Sequence, residues 1–300
     1  MNLTLVLKAR AKINLGLSVL GRRADGFHEL ETVMQQISLH DTLSFEPYSA
    51  DNTCALLCSK PELDGPDNLV NRAAELLKEQ VRTKLPGVRV TLYKHIPVAA
   101  GLAGGSSDAA AALVGLNQYW QLGLSSDSLF ELAGKLGSDV PFCLRGGTAL
   151  AQGRGEQLEQ LPLLPFFWVV LALPRGVEFS TAEAYRKFDR SQLGKPDITP
   201  LVQAIKNRSR ADIAGWLKSS FTNTLETASL PGSDVVITLK KGLQEYGFNP
   251  VFSGSGPTLF MITDSYASAG CVSRIVEELG GISYMCWTSG ENQLTDESGG

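Results

Sequence analysis

Residues 97–108 read Pro97-Val98-Ala99-Ala100-Gly101-Leu102-Ala103-Gly104-Gly105-Ser106-Ser107-Asp108, a glycine-rich stretch between segments of different periodicity. Residues 88–96 alternate apolar and polar side chains as a strand does, whereas residues 108–119 are rich in alanine and leucine, as in a helix. The sequence therefore predicts a strand, a glycine loop and a helix in that order. Glycines permit backbone conformations that are closed to other residues, and they let a ligand approach the main-chain amides.

The predicted helix gives this loop a possible chemical role. Ser106, Ser107 and Asp108 are expected at its capping positions, so that the free N–H groups and the positive end of the helix dipole face the loop. Such a site binds phosphate. A Walker loop is excluded because no Lys precedes the hydroxyl residues, and GxGxxG is absent. Taken alone, a glycine cluster before a helix is also typical of a tight turn, so both interpretations stay open.

The composition is that of a soluble globular protein with room for one large domain or two ordinary ones. The chain has 300 residues, 43% hydrophobic content and a net charge of −4. Scattered basic residues favour a small-molecule partner over nucleic acid, and no apolar run is long enough to span a membrane. The five cysteines and three histidines lack metal-ligand spacing, so we expect no resident metal ion. The odd cysteine count indicates a reducing compartment: the cytoplasm, or an organelle stroma after removal of a transit peptide.

Two polar residues lie on one face of a predicted strand near the start of the chain. Residues 8–20 alternate, with Lys12 and Asn14 on the face opposite the apolar residues. Side chains two apart on a strand leave the same face about 7 Å apart. A Lys on a strand face is usually solvated. The alternative is that Lys12 and Asn14 converge on an anionic ligand.

Three turns carry further candidates. Asp139 stands in Gly137-Ser138-Asp139-Val140-Pro141-Phe142, where it either caps the next helix or, partly desolvated, acts as a base. Phe27 and His28 follow an Asp-Gly turn, which is either a plain hairpin turn or a platform on which a planar base stacks. Residues 253–256 form a second Ser/Gly loop, either a hairpin or a cover over the ligand.

Five motifs in order resemble those of the GHMP kinase superfamily. They lie at residues 11–15, 23–28, 97–110, 137–142 and 252–256, so the resemblance runs through most of the chain. The long form of the glycine loop has Ala103-Gly104-Gly105 between Leu102 and Ser106. Together with the Asp-Gly-Phe-His turn, this form is similar to that of the members that handle a cytidine nucleotide.

The resemblance implies an α+β fold of two domains with the active site in the cleft between them. Residues 1–160 would form the N-terminal nucleotide-binding domain and residues 161–300 the C-terminal domain, with a disordered tail from about residue 289. The implied reaction transfers the γ-phosphoryl group of ATP to the 2-hydroxyl of 4-diphosphocytidyl-2-C-methyl-D-erythritol, in non-mevalonate isoprenoid precursor synthesis. ATP is the implied co-substrate, and Mg²⁺ would arrive with it.

The same resemblance implies roles for particular residues. Lys12 and Asp139 would be the catalytic pair, and Ser107 would touch Mg²⁺. The ATP site would comprise Asn68 and Pro97, Val98, Ala99, Ala100, Gly101, Leu102, Ala103, Gly104, Gly105, Ser106 and Ser107. The substrate would meet Asn14, Phe27 and His28.

One departure and two alternatives accompany the resemblance. The family commonly has Tyr where this chain has Phe27, so the stacking face is kept and a phenolic hydroxyl is lost. One alternative is a GHMP kinase that acts on another small alcohol, such as homoserine, mevalonate or a sugar. The other is a non-catalytic module that binds nucleotide, which the presence of both Lys12 and Asp139 argues against. The sequence leaves the oligomeric state open.

Overall fold

The computed structural model describes residues 5–81, 83–188, 191, 197–219, 223–227 and 232–290. Strands and helices both contribute to it, in two sheets with helices packed on them. The α+β class expected from the sequence is confirmed. Among the helices of these ranges, none combines the length and the apolar character needed to cross a bilayer.

The first sheet is organised on a long hairpin. Its strands are β1 (Leu5–Arg22), β2 (His28–Pro47), β3 (Cys54–Cys58), β4 (Val88–Tyr93), β5 (Thr148–Gln152) and β6 (Gln157–Gln160). The order across the sheet is β3-β4-β2-β5-β6, with β1 also paired to β2. Only β3 and β4, among these described strands, run parallel. The strand predicted at residues 8–20 is confirmed, but Lys12 and Asn14 are buried on it rather than solvated.

Four helices accompany the first sheet. They are α1 (Leu69–Lys78), α2 (Gly104–Tyr119), α3 (Ser126–Leu136) and α4 (Val140–Arg145). Helix α2 packs on β1 and β2, and a run of alanines lets it approach closely. At Gly115 an added Cβ would lie 2.2 Å from the ring of Phe45, so only glycine fits between this helix and the sheet.

The second sheet is smaller and entirely antiparallel. Its strands are β7 (Trp168–Leu173), β8 (Val251–Phe252), β9 (Leu259–Thr263) and β10 (Ile282–Trp287), in the order β10-β7-β9-β8. Its helices are α5 (Thr181–Lys187), α6 (Thr199–Lys206), α7 (Arg210–Ser219), α8 (Ser233–Glu245) and α9 (Tyr266–Glu278). The continuous apolar run after Pro165 thus forms the buried central strand β7, as its lack of alternation predicts.

The two sheets share an apolar core. Ile13 and Val33 of the first sheet lie in one cluster with Val169 and Phe260 of the second. The chain changes sheet between the end of β6 and the start of β7, which suits the predicted domain division at residue 160. Because the core is continuous across that division, the division itself stays a prediction.

Three local predictions need correction or fall outside the described ranges. The amphipathic pattern after residue 68 predicts a helix capped by Asp67. The cap of α1 is instead Asn68, one residue later, whose side chain accepts a hydrogen bond from Val70 N–H. Ser289, expected in a disordered tail, is instead ordered against β2, because its amide donates to the Gln36 carbonyl at 2.9 Å. Residues 291–300 lie outside the described part of the chain.

Candidate active site

A cleft of about 950 Å³ opens between the two sheets. The residues of its wall come from β1 and β2, the turn at residues 26–28, the glycine loop, α5 and the second Ser/Gly loop. Its volume lies within the range of about 300–1,000 Å³ that is typical of small-molecule sites. The cleft predicted between the halves is therefore present.

Lys12 and Asp139 meet in this cleft. Lys12 Nζ lies 3.6 Å from Asp139 Oδ2 and donates to Asn14 Oδ1 at 2.7 Å. The Asn14 amide nitrogen donates to Thr32 Oγ1 at 3.0 Å, which orients the amide oxygen toward the ammonium group. Lys12 is 5% exposed. A buried ammonium is therefore held in one orientation beside a carboxylate that faces the cleft.

The position of Asp139 bears on the choice between a helix cap and a base. Asp139 precedes α4 at the N-cap position, yet its side chain makes no capping hydrogen bond. Its carboxylate keeps 33% of its surface exposed and lines the cleft. The capping interpretation is therefore not supported by the geometry, and the base remains as a proposal.

The glycine loop, residues 97–107, is here called the phosphate loop after the ligand predicted for it, and its backbone is shaped by left-handed residues. Ala99, Gly101 and Ala103 have φ values of 52°, 74° and 57°. Left-handed residues in a loop turn successive N–H groups toward one side, as in anion-binding nests. Non-glycine residues in this region cost about 1–3 kcal/mol and are concentrated at functional sites. The Lys12 amide donates to the Leu102 carbonyl at 3.1 Å, so this loop is bonded to the strand that carries the ammonium.

The start of α2 differs from the prediction. The helix begins at Gly104, with Ala103 at the N-cap and no capping side chain, so Ser106 and Asp108 lie inside the first turns. Residues 97–106 all line the cleft. A Cβ on Gly104 would lie 3.1 Å from Ile96, which indicates how closely the turn packs on the chain before it.

Ser107 is the exception within the phosphate loop. It is 1% exposed, its hydroxyl donates to the Gly104 carbonyl at 2.8 Å, and its amide donates to the Ala103 carbonyl at 2.9 Å. It does not line the cleft. The expectation that Ser107 touches Mg²⁺ therefore finds no support in this geometry. Ser106, which does line the cleft, is the better placed hydroxyl.

Asn68 also lines the cleft, but its side chain is engaged with the protein. As the cap of α1 it accepts from Val70 N–H, and its amide nitrogen donates to the Leu63 carbonyl at 2.9 Å. Its contact with nucleotide stays a prediction.

A buried ion cluster that sequence reasoning missed lies beneath the phosphate loop. The Lys94 side chain is 3% exposed and forms ion pairs with Asp41 and Asp108, the latter at 2.6 Å. Asp41 also accepts hydrogen bonds from the amides of His95 and Ile96. By contrast, Asp108 Oδ1 is buried and has no hydrogen-bond partner among the described residues. Two carboxylates thus share one ammonium group, and Asp108 has fewer hydrogen-bond donors than Asp41.

This arrangement changes the titration of the cluster. Burial, opposed by Lys94 and reinforced by Asp41, raises the pKa of the Asp108 carboxyl to about 8. For Lys94, burial lowers the pKa, but the two carboxylates outweigh it and the pKa is raised. Asp108 is therefore expected to keep a proton in the folded protein at pH values where an exposed Asp has lost it.

Asp108→Asn is expected to flatten the pH dependence of stability. The folded-state pKa of Asp108 is raised from its ordinary value of 3.8 to about 8, so the folded chain binds a proton that the unfolded chain lacks in this window. Stability from this group is therefore fully present below about pH 4 and is lost as pH rises toward 8, by at most about 1.4 kcal/mol per pH unit. Urea unfolding at pH 5, 6.5 and 8 should show this slope in the parent and a smaller one in Asp108→Asn. Asp234→Asn, an exposed control, should keep the parent slope, and equal slopes in all three proteins would contradict the prediction.

The far end of the cleft carries the aromatic residues. The Phe27 ring is 52% exposed, and the guanidinium carbon of Arg154 lies 4.8 Å from its centroid. His28 stacks on Tyr185, with ring centroids 5.4 Å apart and planes inclined by 25°. Tyr185 and Arg154 line the cleft, but sequence reasoning missed both. The spacing of Ser180 and Glu183 in the sequence predicts a helix start before Tyr185 but no ligand. That helix is present, with Ser180 as its N-cap, accepting from Glu183 N–H.

The second Ser/Gly loop, residues 253–256, is from here on called the second glycine loop. It joins β8 to β9 and contacts the phosphate loop. Ser253 Oγ donates to the Gly101 carbonyl at 3.0 Å. A Cβ on Gly101 would lie 2.4 Å from the Ser253 carbonyl oxygen. The hairpin is present, because β8 and β9 pair on either side of the loop, whereas a role as a cover over the ligand stays a prediction.

Relatives of the chain agree with this arrangement. Residues 68–147 match the GHMP kinases N terminal domain. The chain is 49% identical over 264 residues to 4-diphosphocytidyl-2-C-methyl-D-erythritol kinase of Pelotomaculum thermopropionicum, which covers 87% of this chain and 90% of that protein. It is 42% identical over 292 residues to the enzyme of the same name from Listeria monocytogenes serotype 4b, covering 95% and 97%.

A solved structure gives the same result. The crystal structure of 4-(cytidine 5'-diphospho)-2C-methyl-D-erythritol kinase superposes with a TM-score of 0.78 at 33% identity, covering 95% of this chain and all of that one. The chain therefore belongs to the 4-diphosphocytidyl-2-C-methyl-D-erythritol kinase family of the GHMP kinases.

Proposed function

We propose that this protein transfers the γ-phosphoryl group of ATP to the 2-hydroxyl of 4-diphosphocytidyl-2-C-methyl-D-erythritol, in non-mevalonate isoprenoid precursor synthesis. The observation that carries the proposal is the 3.6 Å approach of Lys12 Nζ to Asp139 Oδ2 beside the phosphate loop, inside one cleft. The names of the relatives support the choice of acceptor. All five cysteines are free thiols, which suits the cytoplasm or an organelle stroma.

The residues of the cleft have different roles in the proposed phosphoryl transfer. Asp139 accepts the proton of the attacking hydroxyl, since its carboxylate faces the cleft and is not used as a cap. Lys12 holds that carboxylate in place and offsets negative charge near the acceptor oxygen. The amides of the phosphate loop are donors fixed before the reaction, and they bind the triphosphate without reacting. Positioning and charge stabilisation of this kind account for most catalysis of phosphoryl transfer.

Mg²⁺ is proposed to bind mainly through the phosphates of ATP. Among the described residues, no cluster of three or more His, Cys, Asp or Glu side chains is arranged to hold a metal ion. Asp139 and Ser106 offer oxygen atoms in the cleft, which are the ligands that Mg²⁺ prefers. The ion would neutralise charge on the phosphates, and its usual retention of several waters fits this small donor set.

The aromatic end of the cleft favours the cytidine-linked acceptor over smaller alcohols. Arg154 covers part of the Phe27 ring, and the rest of the ring is open to a planar base. Homoserine, mevalonate and sugars have no aromatic group to stack there. The cleft volume also suits an acceptor as large as a nucleoside diphosphate derivative beside ATP.

Phe27→Ala tests the acceptor. Loss of base stacking, worth about 1–3 kcal/mol, should raise the KM for 4-diphosphocytidyl-2-C-methyl-D-erythritol about tenfold and leave the KM for ATP unchanged. ADP release is measured with this acceptor, homoserine, mevalonate and galactose. Phe166→Ala removes a ring of similar exposure, 51%, far from the turn, and serves as the control. Turnover of one of the small alcohols in place of the cytidine compound would establish the alternative kinase, and ATP binding without any transfer would establish a non-catalytic module.

A further inference from the structure

A short segment before α8 connects the elements that form the active site. Residues 223–226, Asn223-Thr224-Leu225-Glu226, are here called the bracket segment, and 3-10 helix covers Thr224–Thr227. They lie between β1, which carries Lys12, and the second glycine loop. None of these residues lines the cleft, and the proposed reaction does not use them.

The second glycine loop lies directly against the catalytic pair. Gly254 has a φ of +57°, and a Cβ on it would lie 3.4 Å from Lys12 Nζ and 3.2 Å from Asn14 Oδ1. Gly254 and Ser255 also line the cleft. Any shift of this loop therefore changes the space in which the Lys12 ammonium sits.

Asn223 fixes the position of that loop. Its side chain is buried, at 4% exposure, and the amide nitrogen donates to the carbonyls of Phe252 at 3.1 Å and Gly254 at 2.6 Å. Its amide oxygen accepts from Leu225 N–H at 2.9 Å. Both protons of the Asn223 amide are therefore bonded to backbone carbonyls, one in the loop and one just before it. The bond from Leu225 N–H, within the bracket segment, fixes the orientation of the amide.

The other residues of the bracket segment bond to β1 and to β8, and so hold Asn223 in place. Thr224 Oγ1 accepts from Val19 N–H at 3.1 Å and donates to the Leu17 carbonyl at 3.3 Å. Glu226 Oε1 accepts from Phe252 N–H at 3.2 Å. Because both ends of the segment are tied, the distance between the strand of Lys12 and the second glycine loop is set by side-chain hydrogen bonds.

We propose that Asn223 is a positioning residue, which, with Thr224, holds the second glycine loop against Lys12 and thereby keeps the ammonium aimed at Asp139. The inference rests on the proposed function, because its effect is read as a rate of phosphoryl transfer. Asn223 does not line the cleft in which ATP and the acceptor are proposed to bind. Its influence runs through the backbone of Gly254.

Asn223→Asp tests the proposal with an isosteric change. A carboxylate in place of the amide would face two carbonyl oxygens, so the loop loses its two donors. We expect kcat to fall about 10- to 100-fold, the scale of a displacement near 1 Å at a reacting centre, while the KM for ATP changes less than about threefold. Gly254→Ala should also lower kcat. If Asn223 acts through this loop, the double variant loses about as much as the worse single variant, because coupled residues are not additive.

The control is Asn207→Asp, the same change at an exposed site where the side chain accepts a hydrogen bond from Gln203; it should keep the parent kcat. A folded Asn223→Asp enzyme with kcat within about threefold of the parent overturns the proposal. So does a double variant whose fold-loss in kcat equals the product of the losses in Asn223→Asp and Gly254→Ala. Should Asn223→Asp not fold, Thr224→Val is judged by the same split between kcat and KM. An inactive parent would instead contradict the proposed function, so the two failures are distinguishable.

Discussion

Asp139→Asn is expected to lower kcat by about 10² to 10⁴, the usual contribution of a positioned general base. The amide keeps the size of the carboxylate and leaves α4 intact, because the Asp139 side chain makes no capping bond. It cannot take up the proton of the acceptor hydroxyl. The Kd for a non-hydrolysable ATP analogue should stay within about threefold of the parent value, since the phosphate loop is unchanged.

Two measurements check this result. Steady-state ADP release gives kcat, and calorimetry with the ATP analogue gives Kd. Asp127→Asn, an exposed change in the first turn of α3, is the matched control and should behave as the parent. Undiminished turnover in Asp139→Asn would show that Asp139 is not the general base. Lys12 would then act only by offsetting negative charge near the acceptor oxygen.

Lys94→Met is expected to destabilise the fold by about 3–5 kcal/mol at pH 7, as removal of one partner from a buried ion pair usually does. The change leaves Asp41 and Asp108 buried without their cation. Asp41 keeps two backbone amide donors, whereas no described residue bonds to Asp108 Oδ1.

Urea unfolding at pH 7 measures the effect. The control is Lys206→Met, which breaks a 2.7 Å pair with Glu159 between side chains that are 44% and 54% exposed. Surface pairs of this kind contribute about 0–1 kcal/mol. A loss in Lys94→Met no larger than that of the control would show that the cluster beneath the phosphate loop contributes little to stability.

Local patterns predicted the parts of the site that lie within single motifs. Alternation placed Lys12 and Asn14 on one face of a strand, and the structure joins them by a 2.7 Å hydrogen bond. The glycine stretch predicted a strand, a loop and a helix, which is confirmed. The helix start was placed too late because Gly104 and Gly105, which are poor helix formers, begin the helix.

Pairings between distant segments were not predictable in the same way. Lys94 meets Asp41 across 53 positions of sequence, and His28 stacks on Tyr185 of the other half. Periodicity indicates which face of its own strand or helix a side chain occupies. It does not indicate which other strand or helix packs against that face. Asn223 was missed for the same reason, because its partners at residues 252 and 254 belong to a separate hairpin.

The apolar core common to both sheets is expected to couple the unfolding of the two halves. Ile13 and Leu15 of β1 pack in the same cluster as Val169 and Leu171 of β7, so each half covers part of the apolar surface of the other. A fragment that stopped at residue 160 would expose that surface to water and tend to aggregate. Heat or denaturant should accordingly melt both halves in one transition, without a stable one-sheet intermediate.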